Sequence, residues 1–304
     1  MSISVRRQGL RVSGLIMRLT IWVLAAGVLL AVAPASATSN VAVGLCAAPG
    51  THTALAQAAS TTAAATAEPD LSGFWNRVGH LWLDPVLDDD GGKPVSRLKV
   101  DRAGADDIWA GDFSNPILQP WAREIVNQNA ESEIRREHVY TADDTCWPSG
   151  VPQVVNLLDE IEFLQTKDRV VIVYQRDHQV RWVWLNRDHA ANPTPSWYGE
   201  SVGHYEGDTL VIDTIGLSDK TVVDVYRTPH TEKLHVVERW RMVDGGKAME
   251  AVFTVDDPDA FFQPWTGMRR YRRGQQEPDE IVCAENNSNN LFDYHIPMAE
   301  KPDF

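Results

Sequence analysis

Cysteine is scarce in this sequence, and the few that occur exclude several functional classes. Three cysteines are spread over 304 residues, at Cys46, Cys146 and Cys283. They form no C-x-x-C-H motif for haem attachment and no cluster for an iron–sulfur centre or zinc. The glycine-rich dinucleotide motif and the H-E-x-x-H zinc motif are also absent. We therefore predict no cofactor and no metal, and a redox enzyme is disfavoured.

Positive charge is also in deficit. The chain has 28 Lys and Arg against 42 Asp and Glu, which gives a net charge of −14. Nucleic acids and anionic membrane surfaces are bound through basic patches, so both are poor partners for this chain. The predicted partner is a small molecule, and the oligomeric state is left open.

The one long hydrophobic run lies near the N terminus. Residues 19–33 are almost entirely apolar and are followed by Ala-Ser-Ala at 35–37, the small-x-small pattern of a signal-peptidase site. A membrane-spanning helix needs roughly 20 apolar residues, so this run is too short for an anchor. We predict a signal peptide over 1–37, a periplasmic or secreted protein, and no stable membrane insertion after cleavage.

Composition changes twice after the leader. Residues 38–68 are dominated by Ala and Thr without a hydrophobic period, which predicts a linker, and residues 69–304 are predicted to form a single β-rich domain. Cleavage after Ala58 instead of Ala37 and a start at Met17 instead of Met1 are alternatives.

The two downstream cysteines are predicted to form a disulfide. If the leader is removed at the later site, Cys146 and Cys283 are the only cysteines left. An even pair in an oxidising compartment is most simply a disulfide bond.

From about residue 160 the chain reads as strand after strand. Three hairpins are predicted, with turns at 176–177, 207–208 and 245–246, since each turn is flanked by residues suited to strands. The only helical pattern lies at 120–137, with a proline at its start. We predict a mainly β fold, an antiparallel barrel or strongly curved sheet with one packed helix.

The hairpin at 201–214 carries the first candidate catalytic pair. A turn at 207–208 places His204 opposite Val211 and Val202 opposite Asp213. His204 and Asp213 are then diagonal neighbours, roughly 7–8 Å apart at the backbone, near enough for a hydrogen bond. We predict His204 as a general base oriented by Asp213. The alternative is a polar face that points to solvent.

Two further charged residues fall on apolar strand faces. Arg181 faces Ile172 in the hairpin about 176–177, and Glu238 faces Phe253 in the hairpin about 245–246. Burial favours the neutral form of a carboxyl, which would suit Glu238 as a general acid. Arg181 would bind substrate charge. The alternative is an ion pair between Glu238 and a neighbouring arginine such as Arg181.

The remaining substrate contacts are assigned to aromatic and histidine side chains. Tryptophans suit an apolar or sugar-stacking cavity, although they also build ordinary cores. No fixed metal-ligand spacing joins the histidines. The predicted contacts besides Arg181 are Trp182, Trp197, Tyr205, Trp240 and His230.

The motifs of this chain resemble those of known exported proteins. The stretch S-V-G-H-Y-E-G-D-T-L-V-I-D-T at 201–214, with P-H-T-E at 229–232 and C-A-E-N-N at 283–287, resembles an uncharacterised family of exported bacterial proteins. This resemblance implies export and brings no activity. The Gly-x-Trp arrangement at 73–75 resembles the first strand of lipocalin-like (calycin-type) β-barrels, which implies a barrel with an inner cavity.

Two classes of function follow from these assignments. The first is an exported, cofactor-independent enzyme, a lyase, isomerase or hydrolase, which uses acid/base catalysis on a small apolar or cyclic substrate. The second is a non-catalytic periplasmic binding protein for a hydrophobic small molecule. A structural or assembly component of the cell envelope is a third alternative.

Overall fold

The computed structural model describes residues 68–86, 91–101, 108–137, 139–274 and 279–283. The predicted signal peptide, both candidate cleavage sites and all but the last residue of the predicted linker lie outside these residues. Those assignments, and the limits of the 69–304 domain, therefore stay predictions. Within the described ranges, no helix is both long enough and apolar enough to cross a membrane.

Ten β-strands and one α-helix make up most of the regular structure of the described residues. The helix is α1 (Pro120–Ile134). The strands are β1 (Gly73–Val78), β2 (Asp84–Pro85), β3 (Ile161–Gln165), β4 (Arg169–Tyr174), β5 (Gln179–Leu185), β6 (Glu200–Glu206), β7 (Thr209–Ile215), β8 (His235–Val243), β9 (Ala248–Asp256) and β10 (Trp265–Arg273).

Nine of these strands close into a barrel. The sheet order is β1-β3-β4-β5-β6-β7-β8-β9-β10, and β1 pairs with β10 to join the two ends. The short strand β2 pairs with another part of β10. Closure removes the exposed sheet edges that would otherwise recruit other strands. The predicted fold, a mainly β lipocalin-like barrel with one helix, is confirmed.

The three predicted hairpins have the register that their turns indicated. His204 pairs with Val211, Ile172 pairs with Arg181, and Glu238 pairs with Phe253. Because side chains alternate along a strand, this register directs Arg181 and Glu238 to the interior of the barrel.

One strand pair departs from the predicted antiparallel arrangement. β5 and β6 run parallel and pair only between 183–185 and 201–203. Parallel neighbours need a crossover, here residues 186–199, which returns the chain to the start of β6. Gly199 ends this crossover with φ +62°, and a Cβ there would collide with the Ile215 carbonyl oxygen. The short ladder leaves residues 179–182 of β5 without a partner from β6, so the barrel wall has a gap.

The helix is shorter than the sequence predicted. α1 ends at Ile134 instead of residue 137, because Arg136 adopts a left-handed backbone with φ +62° directly after the C-cap. Its inner face carries Ala122, Val126 and Ala130, all buried.

The barrel interior is filled by aromatic side chains around Trp240, whose side chain is 1% exposed. Its ring centroid lies 5.1 Å from that of Phe163, 5.5 Å from that of Tyr271 and 5.8 Å from that of Phe253. Trp240, predicted to contact substrate, is therefore a residue of the packed core.

The predicted disulfide is present. Cys146 and Cys283 are bonded, with their Cα atoms 5.5 Å apart. The backbone N–H of Cys283 also donates to Asp177 Oδ1 at 2.9 Å, which fixes the 279–283 segment beside the turn between β4 and β5.

Candidate functional site

A cleft of about 700 Å³ opens at the gap between β5 and β6. Residues 179–182 of β5 line one side, and residues 196–201, at the end of the crossover and the start of β6, line the other. The cleft therefore lies where the parallel ladder has not yet begun. We call it the aromatic cleft, because its lining includes Trp182, Trp184, Trp197 and Tyr198.

Tryptophan rings form the outer wall of the aromatic cleft. The rings of Trp182 and Trp184 are stacked with centroids 6.4 Å apart, and Trp182 is 49% exposed. The Arg169 guanidinium lies 4.8 Å from the Trp184 ring centroid, and that of Arg187 lies 4.6 Å from it. Such cation–π contacts hold the rings in place and leave part of their surface for a ligand. On the opposite side, Trp197 meets Trp147 edge to face at 5.1 Å.

The floor of the aromatic cleft is a buried guanidinium. Arg181 is 1% exposed and forms an ion pair of 2.8 Å from Nη2 to Oε2 of Glu238, which is fully buried. Its Nε donates to the Ser201 hydroxyl at 3.0 Å, and Nη2 also donates to the Thr214 hydroxyl at 2.7 Å. No described residue accepts a well-aligned hydrogen bond from Nη1. The ion pair that the sequence left as an alternative is thus present.

The charge of Arg181 is fixed by its partner. Burial acts to lower the pKa of the guanidinium, but the adjacent Glu238 carboxylate and Tyr174 together outweigh burial and raise the pKa above its usual value. Burial raises the pKa of Tyr174, which faces this pair, to about 12. Glu238 therefore balances the charge of Arg181. What the floor of the cleft offers a ligand is a hydrogen-bond donor and not a free positive charge.

A chain of charged hydrogen bonds runs from the rim of the aromatic cleft along the outer surface. Glu200 lines the cleft, and its Oε2 accepts from the Ala190 backbone N–H at 2.8 Å and lies 3.2 Å from His189 Nδ1. His189 Nε2 lies 3.0 Å from Asp213 Oδ1, and the same oxygen lies 2.9 Å from His235 Nε2. Asp213 does orient histidines, although not the predicted one.

His189 is placed between two carboxylates. A neutral imidazole donates from only one ring nitrogen, so His189 donates to Glu200 and Asp213 together only when both nitrogens carry protons. Burial acts to raise the pKa of Asp213, but the hydrogen bonds from His235 and His189 outweigh it and lower that pKa. The arrangement can therefore hold a proton close to the rim of the cleft.

The histidine farther along this chain gives a direct test. The hydrogen bond to Asp213 raises the pKa of His235 above 6.5. We expect an NMR titration to place the His235 pKa above 6.5 in the wild type and closer to 6.5 in Asp213→Asn. A raised pKa means that the stabilisation is complete below pH 6.5 and is lost as the pH rises through the folded-state pKa. Because His235 is 40% exposed, its pair with Asp213 contributes less than about 1 kcal/mol to the free energy of unfolding. An unchanged His235 titration in Asp213→Asn would contradict the contact.

The predicted pair of His204 and Asp213 is not formed. Their strands have the predicted register, but His204 Nε2 contacts Glu206 Oε1 at 3.0 Å and is exposed, while Asp213 faces His189 and His235. Diagonal spacing permits a contact without requiring one, and each side chain has a nearer partner. Neither residue lines the aromatic cleft. Glu238, the third predicted catalytic residue, lies beneath the cleft as the partner of Arg181.

The structure brings together half of the predicted substrate contacts. Arg181, Trp182 and Trp197 all line the aromatic cleft. Tyr205 instead accepts a hydrogen bond from Gln165 Nε2 at 2.6 Å, and His230 is 3% exposed with its Nε2 2.8 Å from the Thr221 hydroxyl. With Trp240 in the core, these three lie outside the cleft. Among the described residues, no group of three or more His, Cys, Asp or Glu side chains is placed to hold a metal ion.

The sequence did not indicate the roles of His189 and Glu200. His189 lies in the crossover, which has no periodic pattern, and Glu200 looks like any polar residue at the start of a strand. His189 lies in the crossover between β5 and β6 and Glu200 begins β6, so an expected parallel crossover there would have been the only signal.

The chain matches no known protein family and no curated protein sequence. The resemblance of its 201–214 motif to a family of exported bacterial proteins therefore stays a prediction.

Proposed function

We propose that the protein is an exported binding protein for a small cyclic molecule, which it holds in the aromatic cleft. One observation carries this proposal: a buried guanidinium, Arg181, forms the floor of a cleft whose wall includes the half-exposed ring of Trp182. Apolar and aromatic walls with a few fixed polar groups are the usual composition of small-molecule sites. The volume of about 700 Å³ is within their usual range.

The surroundings of Arg181 favour a particular ligand chemistry. Since Glu238 balances the guanidinium charge, the floor suits a neutral acceptor such as a carbonyl or hydroxyl oxygen better than an anion. The tryptophan faces suit a flat or cyclic body that stacks on them. Export is supported by the Cys146–Cys283 bond, because structural disulfides persist in oxidising compartments.

Calorimetric titration with three cyclic probes, a glycoside, a lactone and a terpenoid, tests the binding. We expect saturable binding of at least one probe. Trp182→Ala should weaken that binding about tenfold or more, because stacking and apolar contact are lost. Trp121→Ala is the matched control, since Trp121 is similarly exposed on α1 and does not line the cleft. No binding by any probe, or equal losses in the two variants, would contradict the proposal.

Acid/base catalysis on the bound molecule is the second candidate function. The observation that favours it is the chain from Glu200, at the cleft, through His189 to Asp213. In this scheme Glu200 is the general acid/base that contacts the substrate. His189 is a positioning residue that orients Glu200 and also supplies protons to Glu200.

Turnover of the same three probes separates the two candidates. For an enzyme we expect Glu200→Gln to lower kcat by about a hundredfold or more and His189→Gln to shift the pH profile of kcat. His204→Ala, a change at an exposed histidine outside the cleft, should retain full activity. Turnover that survives in Glu200→Gln would exclude the catalytic scheme and leave the binding proposal in place.

A further inference from the structure

A second cavity, of about 530 Å³, shares no lining residue with the aromatic cleft. It lies between the C-terminal end of α1, residues 141–158, residues 224–227 and the turn after β4. Five carboxyl groups and three guanidinium groups line it, so we call it the acidic pocket. A surplus of acidic groups is not in itself a site, but one of these carboxyls is unusual.

Asp224 is a buried carboxyl with one oxygen lacking a partner. Its Oδ1 accepts backbone N–H groups from Tyr226 at 2.9 Å and from Thr228 at 3.1 Å. Its Oδ2 is buried and accepts no well-aligned hydrogen bond from the described residues, although the Thr228 side chain acts on the carboxyl and partly offsets the rise of its pKa on burial. The residue as a whole is 4% exposed. A buried acceptor without a hydrogen bond destabilises the folded state, and more so when it is charged, so Asp224 is unfavourable for folding as it stands.

The neighbouring cation is already engaged. Arg227 Nη2 lies 2.9 Å from Glu133 Oε1, and its Nε donates to the Val139 carbonyl at 2.7 Å. The pair of Arg227 and Glu133 is close to neutral and almost buried. Asp224 is thus a carboxyl on the pocket wall with one buried oxygen that accepts no well-aligned hydrogen bond.

A second carboxyl of the pocket also resists ionisation. Burial raises the pKa of Asp143, and the neighbouring Asp144 adds to this rise, while Arg176, 3.9 Å away, partly offsets it. The Thr141 hydroxyl donates to Asp143 Oδ1 at 2.8 Å. A cationic ligand would relieve the electrostatic cost at Asp143 as well as at Asp224.

Part of the pocket wall is apolar, beside the polar side chains of Thr141, Gln153 and Asn156. Trp109, Leu157, Leu158 and Val225 line it, and Leu158 is 70% exposed. A ring or a short alkyl chain of a ligand would cover this apolar surface. Covering the exposed Leu158 side chain would contribute most to the binding free energy, because it removes the most apolar surface from water.

We infer that the acidic pocket is a second binding site, which takes a small primary amine with an apolar body, its ammonium group donating to Asp224 Oδ2 and its body covering Leu158. The three N–H groups of an ammonium match an unpartnered carboxylate oxygen, and charged hydrogen bonds of this kind are about twice as strong as neutral ones. The inference does not rest on the proposed function, because the two cavities have separate walls.

Binding of an amine should depend on the ionisation of Asp224. Burial raises the pKa of Asp224 to about 6. The titratable and charged groups that act on it are Tyr226 and Arg227, with Glu133 paired to Arg227 and Arg97 acting on Tyr226. An alkylamine stays protonated between about pH 5 and 8, so its affinity should rise as the pH rises through about 6 and then level off.

The probes are phenethylammonium and phenethyl alcohol, which have the same ring and chain and differ in the terminal group. We expect calorimetry at about pH 7 to show the amine binding about tenfold or more tightly than the alcohol. Asp224→Asn keeps the Oδ1 acceptor for Tyr226 and Thr228 and so retains the loop. Asp224→Asn should remove the preference for the amine, because it weakens the binding of the amine and leaves that of the alcohol unchanged.

Two further variants keep the test decisive. Glu124→Gln removes the same charge from an exposed position on α1 outside the pocket and should leave both affinities unchanged. Leu158→Ser, at a position that is 70% exposed, should weaken the binding of the amine and of the alcohol alike. The inference is overturned by no saturable binding of phenethylammonium, by equal affinity for the two probes, or by an undiminished preference in Asp224→Asn.

Discussion

Glu238→Leu is expected to lower the free energy of unfolding by about 3–5 kcal/mol, which is the range for breaking a buried ion pair. The variant leaves Arg181 as an uncompensated cation, 1% exposed inside the barrel. Its remaining contacts, the Ser201 and Thr214 hydroxyls, are neutral and cannot balance the charge. Most of the lost stability comes from burying the guanidinium without a counter-charge, and less comes from the attraction within the ion pair.

A double variant separates these two contributions. The double variant Arg181→Met/Glu238→Leu removes both charges and puts apolar side chains of similar size in their place. Its free energy of unfolding should therefore return most of the way to that of the wild type. The exposed pair of Arg239 and Glu206 is the control, and Arg239→Met should cost below about 1 kcal/mol. Urea denaturation of the four proteins, wild type included, measures these differences. A loss below about 1 kcal/mol in Glu238→Leu, or a double variant as unstable as the single one, would contradict the buried pair.

Removing the disulfide is expected to lower the free energy of unfolding by about 2–5 kcal/mol. The bond joins residues 137 positions apart, and a loop of that length restricts the unfolded chain strongly. In the folded state the bond also fixes the 279–283 segment, whose contacts include the N–H of Cys283 with Asp177. Reduction should therefore free this segment before the barrel unfolds.

The measurement is urea denaturation of the wild type with and without a reductant, beside the Cys146→Ser/Cys283→Ser variant without one. The reduced wild type and the double variant should share a lower midpoint, and the reductant should not shift the double variant further. Equal midpoints for the oxidised and reduced wild type would show that the bond contributes nothing to stability.

Much of the fold could be predicted because the information is local. Each two-residue turn sets the register of its hairpin, and the register decides which side chains face inward. The register predicted from the turns puts Arg181 opposite Ile172 and Glu238 opposite Phe253, as the strand pairing confirms.

The candidate site could be predicted only in part, because it is built where the hairpin pattern is interrupted. Nothing in residues 186–199 shows that they form a crossover after which β6 runs parallel to β5, and His189 owes its place to that crossover. Sequence spacing put His204 within reach of Asp213, but it could not rank His204 against histidines arriving from another strand and a loop. Which histidine contacts Asp213 is decided by tertiary packing and not by spacing along the sequence.

Asp224 shows the same limit in a loop. Its burial results from α1 and the loop segments of the acidic pocket meeting around it, and its two backbone partners are two and four residues away. A short-range turn of this kind is common for aspartate, so the sequence did not distinguish a buried carboxyl from a surface one.

The most direct test of the central claim, that the aromatic cleft is the ligand site, is an NMR measurement of the indole N–H groups. A cyclic probe that binds in the calorimetric titration is added to the protein, and the indole signals are assigned with single Trp→Phe variants. We expect the signals of Trp182, Trp184 and Trp197 to shift together along the binding curve while that of Trp121 stays fixed. Saturation of the probe with the three cleft signals unmoved would contradict the account.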